Sequence, residues 1–209
     1  MLFYDCSTAP SPRRARMFLA EKGIGVETIE VSIAKGEQLA PDFLAVNPRA
    51  TLPVLVTDAG TALTENIAIA AYLEEMFPDP PLMGRGAEEK AAVAMWNAIA
   101  EQQGGAPIAE ALRNANPAMK GRAIPGTRNF DQIPELARRG QERVALFFEL
   151  LEARLQENPF LATDHLTLAD ITTFVFVDFA RVIRTTIPEG NTATRVWFDN
   201  IKSRPSAAL

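Results

Sequence analysis

Cysteine and histidine are scarce in this 209-residue chain, and each scarcity excludes a kind of chemistry. The single cysteine, Cys6, rules out an internal disulfide and suits a reducing compartment, so we expect a cytoplasmic protein. The single histidine, His165, leaves no Cys/His set at zinc spacing, and the carboxylates are scattered along the chain. We therefore expect no metal site.

Long apolar runs and basic stretches are also missing. No segment approaches the ~20 apolar residues that span a bilayer, and the opening residues MLFYDCST lack the apolar core of a signal peptide. The formal net charge is -5, with no basic stripe, which argues against nucleic acid as a partner. We expect a soluble globular protein that binds neither a membrane nor nucleic acid.

The periodicity of the apolar residues changes near residue 80. Before that point the pattern predicts the order β-α-β-α-β-β-α, with Ser11 as the N-cap of the first helix and Pro12 as its first helical residue. Prolines 78, 80 and 81 then indicate a linker, after which only helical patterns occur. We predict an α/β domain with a mixed sheet (residues 1–78), a linker (79–86) and an all-α domain (87–209).

Three segments carry a resemblance to a known family: RRARMFLAEKGI, NPRATLPVLVTDAGTALTENIAIAAYLEE and LTLADITTF. In this order and spacing, over essentially the whole chain, the sequence resembles the soluble glutathione transferases. YDCSTAPSPRRAR and KGEQLAPDFLAVN are most similar to an atypical group found in fungi and bacteria, which lacks the usual serine, tyrosine or cysteine beside the bound thiol. The resemblance implies a thioredoxin-like first domain, glutathione as cosubstrate and a homodimer.

The resemblance also implies how glutathione is bound at its cysteinyl unit. Pro53 would follow a cis peptide bond, so that the N–H and C=O of Leu52 face outward and pair with the tripeptide as with an added strand. The alternative is that Pro53 only opens a strand.

At the γ-glutamyl end, Glu65 would pair with the ammonium, and Asn66 with the helix N-terminus would hold the carboxylate. The family usually has Glu-Ser here, so Asn66 is a departure. The alternative is that Glu65 and Asn66 simply cap the helix, and both roles are compatible.

The glycine carboxylate of glutathione needs a cation or donor of its own. Lys35 is the first candidate, since relatives place a basic residue in this loop, and Arg49 and Asn47 are alternatives. Thr51 stands where many relatives carry a lysine, so one contact of the family is missing.

A group that stabilises the thiolate is harder to find. Alignment on RRAR puts Ala9 where serine-type enzymes carry their hydroxyl, so Ser11 is the nearest candidate, and Ser7 and Thr8 are the other hydroxyls. The N-terminus of the first helix is a second possibility, with Arg13 and Arg14 close by; both arginines are equally compatible with surface or ion-pair roles.

The atypical relatives imply a third possibility, a water held near the sulfur by polar residues of the helical domain. The candidates are Arg113, Asn114 and Asn116, and we take Ser11 and Asn114 as the catalytic candidates. His165 falls in a loop before a helix, so a histidine base is not expected. In the LTLADI segment, Thr167 and Asp170 are expected to form a helix-capping box without touching substrate.

The resemblance implies an enzyme that conjugates glutathione thiolate to a small hydrophobic electrophile, as in detoxification, with the helical domain contributing the electrophile site. One alternative, kept open by Ala9 and Asn66, is a non-catalytic glutathione-binding or interaction module on the same fold. Another is a glutathione-dependent disulfide reductase that uses Cys6. Because no second cysteine is present, a buried structural thiol is the favoured interpretation of Cys6.

Overall fold

The computed structural model describes residues 1–209 as two compact units. The first contains Met1–Pro80 together with Ile124–Asn129 and Leu209, and the second contains Pro81–Ala123 and Phe130–Ala208. The division after Pro80 lies within the linker predicted for residues 79–86. The grouping of Ile124–Asn129 with the first unit was not predicted.

A four-stranded mixed sheet forms the centre of the first unit, in the order β2-β1-β3-β4. β1 pairs parallel with β2, with Leu2 opposite Glu27, and antiparallel with β3, with Tyr4 opposite Val54; β3 and β4 are antiparallel. The strands are β1 (Leu2–Asp5), β2 (Glu27–Glu30), β3 (Val54–Val56) and β4 (Ala62–Leu63).

Three helices complete this unit: α1 (Pro10–Glu21), α2 (Pro41–Val46) and α3 (Asn66–Met76). The observed order β-α-β-α-β-β-α and the mixed sheet confirm the predicted thioredoxin-like domain. The largest side chains of its core are almost fully buried on β1, β3, α1 and α3: Phe3, Leu55, Met17, Phe18, Ile69 and Leu73.

A buried lysine fixes the ends of two helices in the first unit. Lys22 follows α1, and its Nζ lies 2.6 Å from Glu74 Oε2 and donates to the carbonyl oxygens of Phe77 and Pro80, each at 2.6 Å. Gly23 adopts φ +66°, the left-handed conformation in which chains commonly leave a helix. Lys22 therefore neutralises the C-terminal end of α3 and anchors the chain where it leaves this unit.

The second unit is helical, as predicted, apart from an isolated β-bridge between Arg122 and Phe130. Its central helix is α7, which is buried continuously from Leu168 to Val177. None of the helices in the chain is both long and apolar enough to cross a membrane. The helices are α4 (Ala87–Ile99), α5 (Ala106–Ala115), α6 (Pro134–Glu157), α7 (Leu168–Phe179) and α8 (Thr192–Lys202), with a π-helical turn at Ala100–Gly105 between α4 and α5.

Glycine permits the close packing of α5 and α6. A Cβ atom added at Gly140 on α6 would lie 2.7 Å from the carbonyl oxygen of Pro107 and 2.8 Å from the backbone nitrogen of Ala111. Because both contacts are with backbone atoms of α5, no side-chain movement would relieve them.

The capping box predicted at the start of α7 is confirmed. Thr167 donates from its backbone N–H (3.1 Å) and its hydroxyl (2.9 Å) to Asp170 Oδ2. Asp170 Oδ1 accepts from the N–H of Leu161 (2.9 Å) and from Trp197 Nε1 (3.1 Å). Complete burial raises the pKa of Asp170, although these four donors oppose that shift.

Candidate functional site

The loop before β3 leaves one backbone N–H and one C=O unpaired. The Leu52–Pro53 peptide bond is cis, as the resemblance implied. The N–H and C=O of Leu52 have no hydrogen-bond partner in the chain. The Leu52 side chain packs against a buried cluster that includes Val31, Phe43 and Val54. The loop thus offers a backbone donor and acceptor on an anchored residue, which is what an extended peptide needs for strand-like pairing.

Asn47 holds this loop in shape from inside. It is 1% exposed, its Nδ2 donates to Thr51 O (2.8 Å) and Thr51 Oγ1 (3.0 Å), and its Oδ1 accepts from the N–H of Arg49 (3.1 Å). Ala50 takes a positive φ of 54° between them. Because both ends of the Asn47 amide are occupied, the structure favours a scaffold role over binding of the glycine carboxylate.

The side chain of Arg49 reaches the N-terminus of α3, which lies about 15 residues further along the chain. Its Nη2 donates to Thr64 Oγ1 (2.6 Å) and Glu65 Oε1 (2.5 Å). Glu65 occupies the N-cap position in an extended conformation, but its side chain does not cap the helix. The carboxylate is instead held by Arg49.

Asn66, the first residue of α3, carries an unsatisfied buried amide. It is 6% exposed, and its Oδ1 is buried with no hydrogen-bond partner. Buried polar atoms in folded proteins are nearly always paired, so each exception calls for an explanation. A ligand group that donates to Oδ1, such as an ammonium, is one explanation. The backbone N–H groups of the same helix end separately favour an anion.

The loop that contains Lys35 offers a second amide. The Lys35 side chain is 77% exposed, with Nζ 3.9 Å from Glu37 Oε1. Gln38 is 7% exposed, and its Oε1 is buried without a partner. Gln38 was not among the predicted site residues, because its burial depends on tertiary packing; its only sequence signal is its place in the same loop as Lys35.

The first helix begins earlier than predicted, and Ser11 is not its N-cap. Ala9 is the N-cap (φ -98°, ψ 140°), so Pro10 is the first helical residue and Ser11 the second. Proline suits either position of a first turn, and the sequence could not decide between Pro10 and Pro12. Because neither proline has an N–H and the N–H of Arg13 bonds to Ala9 O at 3.3 Å, Ser11 has the one open N–H of this turn.

Ser11 is also the one hydroxyl near the α1 N-terminus with no hydrogen bond in the chain. The Ser7 hydroxyl donates to Glu30 Oε1 at 3.0 Å, and Thr8 Oγ1 lies 3.5 Å from Cys6 Sγ. Ser11 itself is half-buried. The α1 N-terminus therefore presents two donors on one residue, the N–H and the hydroxyl of Ser11.

Cys6 and the first two arginines of α1, Arg13 and Arg14, are largely withdrawn from solvent. Cys6 is 2% exposed, which confirms the prediction of a buried thiol. Arg14 is 5% exposed, and Arg13 is half-buried. Both arginines make interactions within the chain, so neither is a plain surface cation.

The polar candidates of the helical unit serve to shape the segment after α5. Asn114 is 8% exposed; its Nδ2 donates to Glu110 O (2.9 Å) and its Oδ1 accepts from the N–H of Ile133 (2.9 Å). Asn116 Oδ1 accepts from the N–H of Ala118 at 3.0 Å. These contacts favour a structural role for both residues.

Arg113 and His165 are also engaged inside the helical unit. Arg113 Nη1 donates to Arg122 O at 3.2 Å, and burial, followed by the charge of Arg122, lowers the pKa of its guanidinium. His165 lies in the loop before α7, with Nε2 3.1 Å from Pro81 O and Nδ1 2.9 Å from Asp164 Oδ1. The predicted site residues of the first domain thus lie in the loop of Leu52, at the start of α3, at the start of α1 and in the loop of Lys35. Those of the helical unit make internal contacts.

Comparison with known proteins decides the family. Residues 8–76 match the glutathione S-transferase N-terminal domain, and residues 116–205 match the glutathione S-transferase C-terminal domain. The chain is 32% identical over 208 residues to glutathione S-transferase 2 of Saccharomyces cerevisiae, covering 99% of this chain and 87% of the relative. The chain belongs to the glutathione S-transferase family.

Solved structures of the glutathione S-transferase family show the same fold. A glutathione S-transferase domain-containing protein of Marinobacter aquaeolei superposes with a TM-score of 0.91 at 33% identity, covering 99% of both chains. Gtt2 from Saccharomyces cerevisiae superposes with a TM-score of 0.91 at 31% identity, covering 100% of this chain and 99% of Gtt2. These matches, from a bacterium and a fungus, confirm the resemblance found in the sequence.

Proposed function

We propose that this protein is a glutathione transferase that conjugates the thiolate of glutathione to a small hydrophobic electrophile. The observation that carries the proposal is the unpaired N–H and C=O of Leu52. They lie on a residue packed against the core of a domain whose family is named for glutathione. The cysteinyl unit of glutathione would pair with Leu52 as one residue of an added strand.

The two ends of glutathione would extend from this pairing and bind to different polar residues. Glu65 and Asn66 at the start of α3 would take the γ-glutamyl end. The unpaired Oδ1 of Asn66 supports this assignment as an acceptor for the ammonium, beside Glu65. The glycine carboxylate would go to the loop of Lys35, whose exposed ammonium is a cation for it.

Thiolate stabilisation would come from the N-terminus of α1. A free thiol has a pKa near ~8.5, so little thiolate is present at neutral pH, and a helix N-terminus lowers that value. Ser11 would add two donors, its N–H and its hydroxyl. Of the two catalytic candidates from the sequence, Ser11 is favoured by its unpaired donors, and Asn114 uses its amide elsewhere.

The bound thiolate would then attack an electrophilic carbon. With an aryl chloride the new C–S bond forms on the ring carbon, and the C–Cl bond then breaks, so that chloride leaves with its electron pair. No proton donor is needed for that leaving group. Catalysis would rest on holding the sulfur as thiolate and on placing it against the electrophile.

Two other functions remain from the sequence. Disulfide reduction through Cys6 is disfavoured, because that thiol is 2% exposed and has no second cysteine to resolve a mixed disulfide. Binding without turnover is favoured by one observation, the alanine at the N-cap of α1, where a hydroxyl is missing.

A modified ligand tests the Leu52 pairing without altering the protein. Methylation of the cysteinyl amide nitrogen of glutathione removes the donor that would bond to Leu52 O, and we expect binding to weaken about tenfold. Glutathione methylated on the glycyl amide nitrogen is the control. Equal affinity for glutathione and the cysteinyl analogue would exclude the pairing.

Turnover is tested separately with 1-chloro-2,4-dinitrobenzene. Chloride release and conjugate formation, dependent on both protein and glutathione, would support a transferase. Glutathione binding without turnover on this and a panel of other electrophiles would favour the binding module.

A further inference from the structure

Arg49 and Glu65 form an exposed ion pair whose hydrogen-bonding capacity is only partly used. Glu65 Oε1 accepts from Arg49 Nη2 at 2.5 Å, and the same nitrogen donates to Thr64 Oγ1 at 2.6 Å. The two side chains are 57% and 61% exposed. Arg49 Nη1 and Nε and Glu65 Oε2 have no partner in the chain.

This ion pair turns the Glu65 carboxylate away from its own helix. An acidic side chain at an N-cap commonly accepts from the first-turn N–H groups, but Glu65 makes no such bond. The N-terminus of α3 stays uncapped by any side chain, and the buried Oδ1 of Asn66, the first residue of the helix, has no partner in the chain. A positive and a negative charge thus stand side by side, with open donors and an open acceptor, at one helix end.

We propose that Arg49 and Glu65 together recognise the α-amino acid group of a γ-glutamyl peptide, Glu65 Oε2 binding the ammonium and the Arg49 guanidinium binding the α-carboxylate. This inference rests on the proposed function and adds Arg49 as a residue that determines specificity. The α-carbon of this ligand group bears both an ammonium and a carboxylate. Each would pair with the side chain of opposite charge, the ammonium with Glu65 and the carboxylate with Arg49. The site would select γ-glutamyl peptides that keep both charges over peptides whose amino group is acylated.

The contacts of Arg49 favour this role over two simpler ones. Binding of the glycine carboxylate would require Arg49 to lie with Lys35, yet its guanidinium is held by Thr64 and Glu65. Stabilisation of the fold is a weak reason for the pair, because exposed ion pairs contribute little. Asn66 replaces the serine usual in the family, so the serine hydroxyl is missing as a donor to the ligand carboxylate. The Arg49 guanidinium at this helix end would supply such a donor.

Calorimetric titration with three ligands tests the proposal. S-methyl glutathione carries both charges, its 4-aminobutanoyl analogue lacks the α-carboxylate, and its glutaryl analogue lacks the ammonium. We expect Arg49→Ala to weaken binding of S-methyl glutathione about tenfold or more, since bonds to charged groups are the stronger ones. The same substitution should leave binding of the 4-aminobutanoyl analogue unchanged.

Two further variants keep the test decisive. Arg49→Lys retains the charge without the planar fork and should recover part of the affinity, which also covers failure of the alanine variant to fold. Arg138→Ala is the matched control, because Arg138 lies on α6 in another exposed pair, 3.9 Å from Glu142, and should leave all three affinities unchanged.

Three results would overturn the inference: an unchanged affinity in Arg49→Ala, a loss that persists with the 4-aminobutanoyl analogue, or tighter binding, which would mean that Arg49 competes with the ammonium for Glu65. Failure of the unmodified protein to bind S-methyl glutathione would instead refute the proposed function, and the inference with it.

Discussion

Ser11 stands between two prolines in the first turn of α1, and its donors have no partner in the chain. If these donors stabilise the thiolate, Ser11→Ala removes the hydroxyl and raises the pKa of bound glutathione. A loss of about 1.4 kcal/mol corresponds to about one pKa unit and to a roughly tenfold slower reaction below that pKa. The pH profile of kcat/KM with 1-chloro-2,4-dinitrobenzene should shift to higher pH.

The shape of that profile separates the thiolate role from a general loss of activity. At a pH above the pKa in both proteins, the thiol is ionised and their rates should converge. Ser7→Ala is the control, because the Ser7 hydroxyl already donates to Glu30. An unshifted profile in Ser11→Ala would remove this hydroxyl from the mechanism.

Asn114 links the end of α5 to the start of α6 through both ends of its amide. Asn114→Ala would remove both hydrogen bonds of this buried side chain, to Glu110 O and from the N–H of Ile133, at a cost of about 1–3 kcal/mol in the free energy of unfolding, measured in urea. Asn116→Ala removes one bond from a half-buried residue and should cost about 1 kcal/mol. Undiminished stability together with a raised thiol pKa in Asn114→Ala would support the catalytic role expected from the sequence.

Single residues also show where sequence reasoning stops. Glu65 and Asn66 could be placed at a helix start, since capping residues and an apolar helix follow in the sequence. The position of Arg49 beside Glu65 could not, because it depends on the packing of two loops. Gln38 was missed for the same reason, as burial of a loop amide leaves no periodic signal.

At the scale of elements, α8 begins without a capping side chain of its own and is capped from α6. Glu152 accepts from the N–H groups of Ala193 (3.1 Å) and Thr194 (2.9 Å) and from the Thr194 hydroxyl (2.8 Å). Burial raises the pKa of Glu152, but the bonds from Thr194 and Ala193 outweigh it and lower the pKa overall. The carboxylate form is therefore favoured in the folded protein.

This lowered pKa predicts a loss of stability in acid. An acid with a depressed folded pKa contributes stability above its unfolded value, near ~4.3 for glutamate, and loses it as pH falls through the folded pKa. Glu152→Gln should lower the free energy of unfolding at pH 7 by about 1 kcal/mol. In urea titrations at decreasing pH, the difference in the free energy of unfolding between Glu152→Gln and the unmodified protein should shrink as the pH falls through the folded pKa of Glu152. A difference that stays constant with pH would contradict this prediction.

Element types were predictable from the sequence, and one boundary was not. The change from strand to helix periods gave β-α-β-α-β-β-α, and the spacing of Thr167 and Asp170 gave the capping box. The predicted start of α1 at Pro12 was wrong. Pro10 and Pro12 both fit a first helical position, and the conformation of Ala9 decides between them. That shift of two residues changes Ser11 from an occupied N-cap into an open donor.

At the scale of the whole molecule, the two units were expected but one segment was misplaced. Ile124–Asn129 follows α5 in sequence yet belongs to the first unit. A Cβ atom at Gly126 would lie 3.7 Å from the carbonyl oxygen of Arg49. A contact between residues so far apart in the chain has no local signature, so sequence periodicity could not reveal it.

We predict that the protein is a homodimer, as the family resemblance implies. Met95 on α4, which is 53% exposed, is a candidate contact between the two copies. Light scattering should give about twice the 22.8 kDa of one chain, and Met95→Glu should shift the population toward monomer. A monomeric unmodified protein would refute the prediction.

The most direct test of the central claim is a calorimetric titration with glutathione and with S-methyl glutathione across a pH series. Measurement in buffers of different ionisation enthalpy counts the protons released on binding. We expect glutathione to bind and release a proton near neutral pH, and S-methyl glutathione to bind without release. Binding of both without proton release would contradict thiolate stabilisation, and absence of binding would refute the proposed function.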